Sequence, residues 1–284
     1  DTTWALIALY KYSPWVTKSD GTMWVWGLNG AGVLGLNSTD DTGTTAYSSP
    51  VQLPGTTWPI SGENKIMSGQ GGAGAIKTDG TLWMCGEMSD GMLGLNDEVN
   101  RSSPTQIPGT TWSTIVAAWG NVMSTKTDGT LWSWGQNNYG QGGHNNRIKY
   151  SSPMQIGTDT TWSYIHSATY SSYPQTYAVK TDGTMWAWGE NRKGQLGLNN
   201  TAQYSSPTQV GTQTTWSKVA ANKGFTWALK TDGTLWSWGY NSFGILGHNN
   251  AHPAGNVSSP VQIPGTWNKL LRMRGKSVGA TQQV

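Results

Sequence analysis

The sequence predicts an all-β chain, a β-propeller of four-stranded antiparallel blades, and three observations predict it. The first is a repeat: Lys-Thr-Asp-Gly-Thr-(Leu/Met)-Trp begins at Lys77, Lys126, Lys180 and Lys230, with a serine variant at Lys18. The second is a pair of markers that keep step with it. Thr-Trp ends at Trp4, Trp58, Trp112, Trp162, Trp216 and Trp267, and Ser-Ser-Pro ends at Pro50, Pro104, Pro153, Pro207 and Pro260. A period near fifty residues held along a chain signals repeated supersecondary units. The third is the run Met23-Trp24-Val25-Trp26. Strand side chains alternate in direction, so both faces of this strand are apolar and both must be covered. Blades stacked side by side do that, whereas a sandwich strand shows one polar face.

Each unit reads as four strands. The first follows the Thr-Trp marker, as in Trp216-Ser-Lys-Val-Ala, and the second leads into Asp-Gly, as in Phe225 to Lys230. Asp-Gly between two such runs predicts a hairpin with a type I′ turn, which needs positive φ at both central residues. The third is Thr-Leu-Trp-Ser-Trp-Gly, at Thr130 to Gly135 and Thr234 to Gly239. A glycine-rich loop follows, and the fourth strand is expected after Ser-Ser-Pro, as in Pro260-Val-Gln-Ile. No sustained helical period occurs, so helices should be rare. The units run over about 1–54, 55–108, 109–158, 159–212 and 213–264, with a partial unit at 265–284, in a single propeller domain of about five to six blades.

Composition fits this reading. The chain has 38 Gly, 18 Trp and 2 Phe, and 12% charged residues, about half the usual share of ~25%. Fifteen tryptophans fall at repeat-locked positions, and each can bury about 150–250 Å², an upper bound of about 4–6 kcal/mol. Trp236→Ala is accordingly expected to cost about 3–5 kcal/mol. The net charge of +3 shows no basic stripe, so nucleic acid is not expected as a partner. Arg272, Arg274 and Lys276 read as a solvated patch. No apolar run is long enough to span a membrane, and one cysteine excludes an internal disulfide framework. The chain opens at Asp1 without a signal-peptide pattern, which suggests processing or an excerpt of a longer protein.

The run Trp188-Gly-Glu-Asn-Arg-Lys-Gly-Gln-Leu-Gly197, with the trailing Ser-Ser-Pro-x-Gln-(Ile/Val), resembles the signature of regulator of chromosome condensation repeats. The resemblance covers essentially the whole chain. It implies a propeller of four-stranded blades, commonly seven, that serves as an interaction platform. The wording of these copies is closer to bacterial and phage members than to nuclear ones. The departure is the last unit, where the Asp-Gly turn is lost and only two strands are expected.

Several motifs carry no chemistry. Gly69-Gln-Gly-Gly-Ala-Gly74 satisfies G-x-G-x-x-G but leads into a blade strand, not a helix. Gly275-Lys276-Ser277 lacks the first glycine of a P-loop, since Leu270 stands there. His144 and His248 stand where other units have Leu36, Leu95 and Leu198, and His166 and His252 add no zinc spacing. Cys85 replaces the second tryptophan of the third strand and reads as a buried filler. The Asp-Gly aspartates are explained by turn chemistry. No catalytic residue, metal or cofactor is expected, and the chain is read as a non-enzyme.

Binding is expected at the loop tips, where two residues vary between a fixed Asn and Gly. The candidate partner-binding residues are Asn138, Tyr139, Arg192, Lys193, Ser242 and Phe243, which should emerge at one end of the scaffold. Arg192→Ala should alter binding without altering stability. The insertions at Ser38 to Tyr47 and Ala251 to Val257 are further candidates. The leading functional reading is a structural or adhesive component of a phage virion or bacterial surface, extracellular or on the virion, with a cytoplasmic setting still open. Its partners would be other protein subunits, a cell-surface protein or a glycan, and the incomplete terminal unit would dock a neighbour. A sugar-binding lectin is the alternative, with Trp15, Trp119 and Trp227 as its spare aromatics. A second alternative is an enzyme inhibitor, as one bacterial family member is. Nucleotide exchange on a small GTPase, the founding family's role, and photoreception find no supporting motif.

Overall fold

In a computed structural model, the chain is described at residues 3–10, 12–38, 45–69, 71–118, 120–168, 173–249, 255–271 and 279–282. Five four-stranded antiparallel sheets follow one another, each ordered as in the sequence. The first holds β1 (Trp4–Tyr10), β2 (Ser13–Lys18), β3 (Met23–Leu28) and β4 (Ala46–Leu53). The second holds β5 (Ile66–Ser68), β6 (Gly72–Ile76), β7 (Leu82–Gly86) and β8 (Arg101–Ile107). The third runs β9 (Trp112–Ala118), β10 (Asn121–Lys126), β11 (Leu131–Gly135) and β12 (Tyr150–Gln155). The fourth runs β13 (Trp162–Ser167), β14 (Gln175–Lys180), β15 (Met185–Gly189) and β16 (Tyr204–Gln209). The fifth has β17 (Trp216–Asn222), β18 (Phe225–Lys230), β19 (Leu235–Gly239) and β20 (Val257–Ile263). A two-stranded sheet of β21 (Trp267–Leu271) and β22 (Gly279–Gln282) comes last. The helical content of the described residues is one 3-10 turn, Ser89–Gly91.

Two local expectations are corrected. The hairpin turn is not type I′. Gly21 N–H bonds Lys18 O at 3.0 Å and Lys18 N–H bonds Thr22 O at 2.9 Å, while the glycine alone takes positive φ (80°). This is a type I turn closed by a left-handed glycine. The aspartate stays out of the left-handed region because its carboxylate reaches forward. Asp20 Oδ1 accepts both the Thr22 N–H (2.9 Å) and the Thr22 hydroxyl (2.6 Å), and the same pair recurs at Asp79, Asp128, Asp182 and Asp232. The threonine oxygen then accepts the indole N–H of the tryptophan two residues on, as from Trp24, Trp83, Trp132, Trp186 and Trp236. The second correction concerns the fourth strand, which contains Ser-Ser-Pro and does not follow it. Proline is tolerated there because this strand lies at the sheet edge.

The chain packs as two units, one of residues 1–136 with 149–155 and the other of 137–148 with 156–284. Within each unit the same three contacts join one blade to the next. The hairpin glycine carbonyl accepts the next Thr-Trp amide: Trp58 N to Gly21 O and Trp112 N to Gly80 O in the first, Trp216 N to Gly183 O and Trp267 N to Gly233 O in the second. The last Asn of the glycine-rich loop donates to the next fourth strand, Asn37 N to Ser102 O and Asn199 N to Ser258 O. The second tryptophan of the third strand donates its indole N–H to the preceding loop. Trp134 bonds Met92 O at 2.9 Å, Trp188 bonds Gln141 O at 2.8 Å and Trp238 bonds Gln195 O at 2.7 Å. A loop glycine lies flat under each ring; a Cβ at Gly94 would sit 2.8 Å from Trp134 Nε1, and one at Gly197 2.8 Å from Trp238 Nε1.

The first tryptophan of the third strand plays another part. It is half-buried, and the motif lysine lies over it and over the first-strand tryptophan together. Lys126 Nζ is 3.9 Å from the Trp132 centroid and 4.8 Å from that of Trp112, and Lys230 is 4.0 Å from Trp236 and 4.9 Å from Trp216. Cation–π attraction of about 0.5–2 kcal/mol thus accounts for a lysine that solvation alone would leave free to vary.

Trp238 is fully buried and Trp236 is not, so the two should separate on substitution. Trp238→Ala should lose about 3–5 kcal/mol in denaturant unfolding, and Trp236→Ala roughly half of that. The turn aspartates are held below their ordinary value of 3.8. Threonine hydroxyl and then amide hydrogen bonds are the cause, with the amide foremost at Asp182. Their contribution is therefore complete above about pH 5 and lost as pH falls through the lowered values. Melting followed from pH 6 to pH 2 should show that loss, and Asp128→Asn should flatten it.

Candidate interaction surface

All six residues singled out from the sequence fall in the second unit, on three successive turns built alike. In each turn an Asn carbonyl accepts a Gly amide three residues on: Asn137 O from Gly140 N (3.0 Å), Asn191 O from Gly194 N (2.8 Å) and Asn241 O from Gly244 N (3.1 Å). The buried Asn side chain holds the rest of the loop. Asn137 Oδ1 accepts Gly142 N–H, and its amide donates to the carbonyls of Asn146 and Ile148; Asn191 does the same with Leu196, Asn200 and Ala202. The glycine ending the turn has no room for a side chain. A Cβ at Gly140 would lie 2.6 Å from Ser205 Cα, and one at Gly194 2.6 Å from Ser258 Cα. The framework is fixed by backbone contact and the two residues inside it are free to differ.

Asn138, Arg192 and Phe243 are exposed, Phe243 at 86%, while Tyr139, Lys193 and Ser242 are half-buried. A glutamine two residues on accepts the amides of Tyr139 (Gln141 Oε1) and Lys193 (Gln195 Oε1). Arg192 is not a free tip. Its Nε lies 2.8 Å from Glu190 Oε1, a carboxylate that is wholly buried and also bonded by the Gln203 amide. That hydrogen bond and charge hold the guanidinium's proton more tightly than usual, and the phenols of Tyr139 and Tyr173 act on it in the same direction. The ion pair ties Arg192 to the loop, so a stability cost on its removal becomes the expectation in place of neutrality.

The structure adds two residues that the sequence reading missed. Lys193 Nζ stands 5.8 Å from the Tyr240 ring centroid, and Tyr173 and Lys193 both flank Gly224, on whose Cβ position their atoms converge at 3.3 and 3.7 Å. Arg192, Lys193, Tyr139, Tyr173 and Tyr240 thus form one cationic and aromatic group. The signal for Tyr173 was the lengthened connection between Ser167 and Gln175, which breaks the repeat.

Other expectations are placed as follows. Trp15 is not a spare aromatic but is fully buried, its indole N–H 3.0 Å from Val33 O. Trp227 is half-buried against the cluster of Leu229, Leu235 and Ile263. Cys85 is buried, which pushes its thiol far above the usual range. His248 bonds the Ser237 hydroxyl at 2.7 Å, and burial lowers its pKa. Among the described residues no group of three His, Cys, Asp or Glu could hold a metal, and no helix is long and apolar enough to cross a membrane. Trp119, His252, the patch Arg272, Arg274 and Lys276, the Gly275-Lys276-Ser277 run, and most of both long insertions lie outside the described residues.

Sequential four-stranded sheets locked by loop and tryptophan define a repeat β-propeller. The regulator of chromosome condensation (RCC1) repeat matches residues 128–172, 182–229 and 232–281, just over half of the chain, and a second RCC1 repeat profile matches 216–245. The chain belongs to this family. No curated protein matches it in sequence. Among solved structures it is similar to yeast RCC1 (Prp20) bound to Kap60, with a TM-score of 0.75 and 16% identity over 95% of this chain and 66% of that one. Prp20p of Saccharomyces cerevisiae, described with its binding to Gsp1p and histones, gives 0.72 and 18% over 93% and 66%. Human WBSCR16 gives 0.76 and 17% over 94% and 69%. The chain therefore spans just under two thirds of the Prp20 chains, and the likeness is one of fold.

Arg192→Ala, which strips a buried carboxylate of its cation, should cost about 1 kcal/mol, reduced from the usual value by the arginine's exposure. Lys193→Ala should stay within about 0.5 kcal/mol. Urea unfolding of the two variants side by side checks the contrast.

Proposed function

We propose that this protein is a non-enzymatic scaffold that binds a protein partner through the turns at Asn138–Tyr139, Arg192–Lys193 and Ser242–Phe243. The observation that carries the reading is the contrast within those turns. Constant Asn and Gly residues fix the backbone, and the residues between them include a phenylalanine 86% exposed and an arginine and lysine beside three tyrosines. Rigid turns lose little entropy on binding, and aromatic and arginine side chains are the usual anchors of protein interfaces. The Prp20 structures, by their own descriptions, concern a protein that binds Kap60, Gsp1p and histones. That supports a protein partner here, and the cationic group favours one with an acidic face.

The finer reading is a structural or adhesive component of a phage virion or bacterial surface, on the virion or outside the cell. It is supported by the 12% charge content, the Thr-, Ser- and Asn-rich loops and the wording of the repeats. A second docking place for a neighbouring subunit would be β22, beside which no third strand lies among the described residues.

Density-gradient fractionation of the native source, with the chain followed by its tryptic peptides, tests the finer reading. Co-migration with virions, tails or surface filaments is expected; recovery as a free soluble monomer would overturn it. With the partner in hand, Phe243→Ser and Lys193→Glu should each weaken binding about tenfold, near 1.4 kcal/mol, without lowering the melting temperature.

A further inference from the structure

One tryptophan contact within a blade departs from its counterparts, and a cleft lies beside it. In the third, fourth and fifth blades the first-strand tryptophan packs edge-on against the first tryptophan of the third strand. The centroids are 6.0 Å apart for Trp112–Trp132, 6.0 Å for Trp162–Trp186 and 6.1 Å for Trp216–Trp236. The second tryptophan of that strand supports the same ring at 5.9, 6.5 and 6.1 Å. The second blade has Cys85 in place of that support. Its thiol still points at the preceding loop carbonyl, Val33 O, at 3.6 Å, but the volume of an indole is missing.

Trp15 fills that volume from the other side. It stands on the second strand, three residues before the motif lysine, where the fourth blade has Tyr177. Tyr177 shares the loop carbonyl of Gln195 with Trp238, their rings 6.3 Å apart. Trp15, larger and facing only a cysteine, takes the Val33 carbonyl with its own indole N–H. Trp58 follows it. Its ring lies T-shaped against Trp15 at 6.4 Å and 89°, and its N–H donates to Pro54 O at 3.1 Å, whereas the indole nitrogens of Trp112, Trp162 and Trp216 find no acceptor among the described residues. Turned toward Trp15, Trp58 no longer makes the edge-on contact with Trp83. Both line an open cleft of about 530 Å³, together with Leu36, Leu53, Pro54 and Pro104.

We propose that this cleft binds a small aromatic carboxylate. Its volume is that of a small-molecule site, largely apolar with a few convergent polar groups. The two indoles that pack edge-on in later blades do not pair here and both line the cleft, so a flat ring packed against them gains aromatic contacts of about 0.5–1.5 kcal/mol each. The charge is set by Lys77, whose ammonium lies 4.1 Å from the Trp83 centroid and 4.8 Å from that of Trp58. Among the described residues no acidic one lines the cleft, whose other polar groups are Asn37, Gln52 and Ser103. A carboxylate on Lys77 with its ring against the tryptophans meets every one of these features, and a neutral aliphatic ligand meets none of the aromatic or charged ones.

Calorimetric titration with indole-3-acetate tests this. One-to-one saturable binding below millimolar concentration is expected. Lys77→Met should weaken it about tenfold while leaving the neutral indole-3-acetamide nearly unaffected. The double substitution Trp15→Gly with Cys85→Trp copies the residues that Gly74 and Trp134 supply one blade further on. It should abolish both ligands while unfolding remains cooperative. Absence of saturation at about 5 mM would overturn the proposal, as would equal weakening of both ligands by Lys77→Met, or full binding by a folded double variant. Should the double variant not fold, the charge discrimination at Lys77 decides the matter alone.

Discussion

The indole N–H of the third strand, donated to a carbonyl on the loop of the preceding blade, is the contact on which the rest of this structure depends. It fixes three things together. The ring must be wholly buried, as Trp134, Trp188 and Trp238 are, or water would compete for the carbonyl. The loop must come close enough to be the acceptor, which removes any side chain from Gly94, Gly143 and Gly197. And the loop must present that carbonyl in one orientation, which the buried Asn137 and Asn191 secure by bonding both of its limbs. Tryptophan is used and not phenylalanine because a phenyl ring would fill the space and leave the carbonyl unpaired, a loss of about 1–3 kcal/mol per site. The scarcity of phenylalanine in the chain is a consequence of this contact.

How much of this could be read from the residues depends on whether the residue's partner is local. The strands, their order and the two-stranded last unit were legible because alternation and Asp-Gly pairs act within a hairpin. The turn type was misread because the usual preference of Asp-Gly ignores the threonine that follows, and it is Thr22 and its counterparts that hold the aspartate out of the left-handed region. The repeated lysine was passed over for a similar reason. Its partners, two tryptophans such as Trp112 and Trp132 on different strands, meet only after the sheet has formed. Trp15 reads as spare in the sequence because it breaks the repeat, and what it compensates, Cys85, lies seventy residues away on another blade.

The candidate surface divides in the same way. Variation between a fixed Asn and Gly picked out Arg192, Lys193 and Phe243, because turn geometry is a local property. It could not show that Arg192 is tied to Glu190, since a glutamate two residues away reads as solvated until the loop folds its carboxylate inward. Nor could it show that Tyr173, from the β13–β14 connection, and Tyr240, from the loop that carries Phe243, gather beside Arg192 and Lys193.

A repeat this strict makes its exceptions informative. In a core whose units are alike, a small residue at a large position leaves a void unless a neighbour grows, and a void lined by indoles costs several kcal/mol. Trp15 grows into the space beside Cys85, but an indole entering from the second strand cannot occupy the volume of one entering from the third. The mismatch is passed on to Trp58, which turns to keep its edge contact and gains a hydrogen bond to Pro54 in doing so. It is discharged at the surface, where opening a cleft costs less than leaving a cavity, because water can enter it. The scaffold thereby acquires a concave aromatic site without altering a strand, a turn or a loop length. The same logic keeps the tips variable: contacts that fix the backbone are made by backbone, glycine and buried asparagine, so side chains outside that set can change without loosening it.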